Sequence, residues 1–215
     1  MGWVFKRAAG GVAVCLLATA CGGGAGPEPE RVSAAQQCDD TLSLDAARAL
    51  ETVLKAKRFH HSPRGGLERT TGELIADHPK SEGRTPRRAL CKIDSPANSA
   101  RAAIDFRLWR DINLHGSRHS ASLHPYGMGV EALSGPNGAH LYVRCVSGRI
   151  PGSDRRPARI WGELSLSRSE LPDTVPVREA NLTVLHSVTL AVVRKLGCED
   201  DAGLTEKPVF KALPE

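Results

Sequence analysis

Eight histidines and six cysteines hold most of the chemistry this sequence offers. His115, His119 and His124 lie close together, and on a helix His115 and His119 would share a face able to grip zinc. Gly116, Ser117, Ser120 and Ser122 break such a helix, and no carboxylate stands within the stretch. The three histidines are therefore weak metal candidates and read as a solvated polar loop; no metal or cofactor is indicated. His60-His61 follows a helix near its negative pole. His186 reads as packed within a later helix, not as a base. No G-x-S-x-G elbow, S-x-x-K, H-E-x-x-H or phosphate-binding loop occurs. An extracytoplasmic hydrolase or metal-dependent enzyme using the His115–His124 loop stands only as the alternative to a non-enzymatic module.

The cysteines divide into two groups. Lys6 and Arg7 precede an apolar stretch from Ala8 to Ala20. At about 13 residues it is shorter than the roughly 20 a spanning helix needs, and it reads as a signal peptide over residues 1–20. It ends Leu16-Leu17-Ala18-Thr19-Ala20-Cys21 and runs into Gly22-Gly23-Gly24. This resembles a bacterial lipobox, whose cysteine becomes the lipidated N-terminus; Leu17 stands one place earlier than usual. Cys21 is thus the expected lipidation site, with palmitate or similar acyl chains holding the protein at the extracytoplasmic face of the cell membrane. Residues 22–37 are rich in Gly, Pro, Glu and Ser and read as a flexible tether.

Cys38, Cys91, Cys145 and Cys198 remain, at nearly regular gaps of 53, 54 and 53 residues. Four cysteines in an exported domain imply two disulfides with three possible connectivities. No C-x-x-C pair suggests redox chemistry or a clustered zinc site.

Charge narrows the partners. The 29 basic and 24 acidic residues leave a formal charge of +5. Removing Lys6 and Arg7 with the signal lowers it to +3, which withdraws the main support for nucleic-acid binding. Arg84, Arg87 and Arg88, and separately Arg155, Arg156 and Arg159, form two small basic clusters suited to anionic headgroups, wall polymers or a protein; they read most simply as solvated loops.

Periodicity sets the elements that position these residues. Ser43 caps a helix running to Lys57, with Ala46, Leu50, Val53 and Leu54 on one stripe. Leu67–His78 reads as a short helix weakened by Gly72. Alternation then marks strands near 101–111, 139–146 and 158–166, with shorter candidates at 89–94 and 128–133. A long helix from Pro176 to Leu196 carries Arg194, Lys195 and Gly197 at its end. This is an α+β pattern: an antiparallel sheet of four to five strands with an N-terminal and a long C-terminal helix on one face, spanning residues 38–200 before a tail at 201–215. Each helix-flanking cysteine is expected to pair with a strand cysteine. Trp109 and Trp161 have the opposite parity to the inward residues, so with Tyr142 they form the candidate binding surface on the other sheet face.

Taken together, the Leu-Leu-Ala-Thr-Ala-Cys box, the Gly-Pro tether, Cys38-Asp39-Asp40, Cys91-Lys92-Ile93 and Leu141-Tyr142-Val143-Arg144-Cys145 resemble the small lipoproteins of unknown function of actinobacteria such as Streptomyces. The resemblance implies a membrane-anchored envelope protein that meets an envelope protein or small ligand. It implies no activity.

Overall fold

A computed structural model describes residues 30–80, 85–109, 122–168 and 170–213. The signal, Cys21, His115 and His119 lie outside the described residues. Among those described, eight strands and three α-helices occur: β1 (Arg31–Val32), α1 (Leu44–Leu54), β2 (Phe59–His60), α2 (Gly66–Asp77), β3 (Arg88–Asp94), β4 (Arg101–Leu108), β5 (His124–Tyr126), β6 (Glu131–Gly135), β7 (Gly138–Cys145), β8 (Ala158–Ser167) and α3 (Val175–Leu196).

The sheet has six strands, not four or five, in the order β3-β4-β8-β7-β6-β5, all antiparallel. After β4 the chain crosses to the far edge and returns through β5, β6 and β7, so that β8 fills the place beside β4. The extra strand, β5, is three residues long and contains Pro125. Proline cannot donate to a ladder and is confined to edges, where β5 lies. Three residues are also too few to show alternation. A separate two-stranded sheet pairs β1 with β2. It draws in the end of the stretch read as tether: Val32, Ala34 and Gln37 are buried.

Helix ends follow local chemistry. The Ser43 hydroxyl accepts from the Ala46 N–H at 3.2 Å and starts α1. α2 has glycine at its N-cap, and its amides are met from elsewhere in the chain. Asp39 Oδ1 accepts from Gly65 N–H at 2.8 Å, and Oδ2 from Leu67 N–H at 2.7 Å. Asp39 reaches them from a left-handed backbone, φ 58°, a conformation that Asp tolerates better than most residues. Gly197 ends α3 at φ 69°.

α3 lies across β6, β7 and β8, α2 packs on β3 and β4, and α1 packs against α3. Gly162 lets β8 lie close under α3: a Cβ there would meet Thr189 Oγ1 at 3.0 Å and Phe106 at 2.9 Å. The core unites Leu50, Val53 and Leu54 with Ile104, Phe106, Leu141, Val143, Ile160, Leu164, Leu185 and Val188. Disulfides join Cys38 to Cys91 and Cys145 to Cys198, each helix-flanking cysteine to a strand cysteine. Two such bridges fit folding outside the reducing cytosol. No described helix is long and apolar enough to cross a membrane.

Candidate binding face

The sheet face away from the helices carries its side chains in cross-strand rows. One row runs Arg107, Trp161, Tyr142, Glu131 across β4, β8, β7 and β6. The next runs Asp105, Glu163, His140, Leu133. Beyond the first row, Arg159 faces Arg144, and the Trp109 N–H donates to Arg159 O at 2.9 Å.

These rows build a second, smaller apolar cluster. Trp109, Leu133 and Tyr142 are buried, with Leu123 and Trp161 packed against them. The Trp161 and Tyr142 rings lie 5.1 Å apart, and Tyr142 meets Trp109 edge-on at 5.9 Å. The three rings project on the side of the sheet away from the main core. Parity does not fix exposure, however: only Trp161 is left half-buried, while Trp109 and Tyr142 are enclosed. Trp109 Nε1–H donates to Val143 O at 3.3 Å. Trp161 Nε1 is buried with no partner among the described residues.

Guanidinium groups interleave with the rings. Arg107 lies 3.5 Å from the Trp161 ring centre, while Arg159 and Arg144 lie 5.3 and 5.8 Å from that of Trp109. Such contacts strengthen as water is removed. Asp105 and Glu163, directly opposed and carrying like charge, share cations: Arg87 reaches Glu163 at 3.0 Å and Asp105 at 3.7 Å, and Arg107 reaches Glu163 at 3.3 Å. Burial pushes the Asp105 carboxyl up from its ordinary range while Arg87 pulls it down. Burial also raises the Tyr142 phenol, which stays protonated at neutral pH. A neutral hydroxyl, cations and stacked rings thus lie side by side on this face.

The remaining candidates lie elsewhere. His124, in β5, contacts Asp173 at 3.1 Å, and Arg178 holds the same carboxylate at 3.2 Å. No group of three or more His, Cys, Asp or Glu suited to a metal occurs among the described residues. The sequence reading missed a groove of about 700 Å³ between the start of α1, α3 and the segment 206–208. His186 borders it, 2% exposed, with Nε2 unpartnered among the described residues and its pKa lowered by burial. No signal in one dimension joins Asp40–Arg48 to Glu206–Pro208.

Comparison with family models, with curated proteins and with solved structures finds no match to this chain.

Proposed function

We propose that the chain is an exported lipoprotein of the small actinobacterial kind, acylated at Cys21, that binds an envelope protein or small ligand through the sheet face turned away from α1, α2 and α3. One observation carries this reading: three guanidiniums and three aromatic rings interleave on a face that no described helix covers. A sheet covered on one side ordinarily turns an alternating polar face to water. Aromatic and arginine side chains are, by contrast, the enriched residues of recognition surfaces. The buried Trp161 N–H has no partner among the described residues, a donor left unsatisfied on this face. Two disulfides support an extracytoplasmic address.

The test is photo-cross-linking in the producing cell. A photoreactive side chain replaces Ala103, which lies beside Asp105 on this face, or Leu44, 72% exposed on α1. The reading predicts a discrete cross-linked product from position 103 that is absent from position 44 and weakened by Trp161→Ala. A product from position 44 alone contradicts it.

A further inference from the structure

We propose that the end of the sheet spanning residues 144–159, where β7 hands over to β8, docks onto an anionic phospholipid surface. The inference rests on the reading that Cys21 is acylated and names the surface that the anchored domain would meet.

The charge distribution is uneven. Residues 144–159 hold five arginines (Arg144, Arg149, Arg155, Arg156 and Arg159) against one carboxylate, Asp154, a surplus of four. From Cys21 onward the whole chain has a surplus of three, so everything outside this segment sums to one negative charge. An anionic surface therefore attracts this segment more than the remainder of the chain taken as a whole.

The segment is also rigid. The Ser147 N–H donates to Ser153 Oγ at 2.9 Å, Ser153 Oγ donates to Ser147 O at 2.8 Å, and Ser147 Oγ donates to Leu196 O at 2.6 Å. Ser147, Ile150 and Ser153 are buried, and the Cys145–Cys198 disulfide ties the segment to the end of α3. A pre-formed cationic surface loses less conformational freedom on binding than a loose loop. The acidic turn that begins at Glu199 borders the patch, joined through the Glu199 N–H to Val146 O at 2.9 Å, and Asp201 in that turn is held by Arg194.

Arg144 gives this end a donor for a phosphate. It is directly opposed to Arg159 across β7 and β8, and both guanidiniums lie over the Trp109 indole. The exposed Arg144 guanidinium can donate charge-assisted hydrogen bonds to a phosphodiester. Arg144 and Arg155 are exposed and make no ion pair among the described residues. Free phosphate offers the same oxyanion; the bilayer is favoured because a lipid anchor would hold the domain beside many headgroups at once.

The experiment sediments residues 22–215, which contain every described element, with vesicles after export behind a secretory signal so that both disulfides form. The vesicles are phosphatidylcholine alone or phosphatidylcholine mixed with phosphatidylglycerol. The proposal expects binding to the mixed vesicles only, with release in 1 M salt, where the screening length falls to about 3 Å. Replacing Arg144 and Arg155 together with Gln should lower partitioning about thirty-fold, given the usual contribution of each arginine near an anionic surface. Circular dichroism confirms that the variant is folded. Equal binding to both vesicle types, or an unchanged double variant, overturns the proposal. So does inorganic phosphate releasing the protein where chloride of equal ionic strength does not, which assigns a free-phosphate site instead. A chain recovered from cells without acyl groups on Cys21 fails the anchoring reading separately, since these vesicle results do not depend on acylation.

Discussion

Arg107 faces Trp161 directly across β4 and β8 and rests its guanidinium 3.5 Å from the ring centre, while the same arginine reaches Glu163 at 3.3 Å. The pair therefore joins the aromatic row to the charged row of the sheet face turned away from the described helices. Its side chain is only partly exposed, so the stacking is expected to be stronger than at a fully wet site. Arg107→Ala should lower stability by about 1–2 kcal/mol in chemical denaturation. Trp161 emission should shift to the red as the ring becomes wetter. Unchanged stability and emission would show that the contact does not hold the face together.

Asp39 caps a helix that begins 27 residues later, accepting from Gly65 and Leu67 with separate oxygens. Asp39→Ala should remove about 2 kcal/mol, at the upper end for a lost cap because two charge-assisted bonds go together. Hydrogen exchange should show α2 opening first. Faster exchange confined to α1 would contradict the assignment.

The two disulfides close loops of 53 residues each. In the chain-entropy model each loop of that length contributes about 4 kcal/mol by restricting the unfolded chain. Replacing Cys145 and Cys198 together with Ser should lower unfolding stability by that order. Peptide mapping without reduction should recover Cys38 linked to Cys91 and Cys145 linked to Cys198. Crossed pairs would disprove the connectivity.

Acid should weaken the fold through His186 and His78. Burial lowers both pKa values below the ordinary 6.5; at His78 the Arg156 charge acts in the same direction, and at His186 Glu206 opposes burial while Arg194 assists it. The unfolded chain therefore takes up these protons more readily than the folded one. Stability is complete above the unfolded value of 6.5 and falls as pH drops through it, levelling off only below the folded values. Denaturation midpoints should fall between pH 8 and pH 5.5, with a shallower fall in His186→Gln. A midpoint that rises on acidification would reverse the sign.

The parts of this architecture that repeat locally were legible in the sequence. α1 and α3 announce themselves through stripes of apolar residues and end signals at Ser43 and Gly197, and β4, β7 and β8 through alternation. Strand order was not legible, because nothing in one dimension states that the chain leaves β4 for the far edge before β8 returns beside it. The same limit hid the Asp39 cap and the groove beside His186, each made by segments remote in sequence. For the candidate face, parity named the side on which Trp109, Tyr142 and Trp161 project. It did not show that two of the three rings, Trp109 and Tyr142, would be buried.

Mass measurement of the chain released gently from the envelope of a lipoprotein-processing host tests the account most directly. The proposed function predicts a native species heavier than the denatured one by a non-covalent partner, with that excess lost in Trp161→Ala. The denatured chain should begin at Cys21, carry acyl groups there, and gain four hydrogens on reduction, two for each disulfide. A chain of equal native and denatured mass with an unmodified Cys21 would contradict the anchored binding module, and no gain on reduction would contradict the stapled fold that presents its binding face.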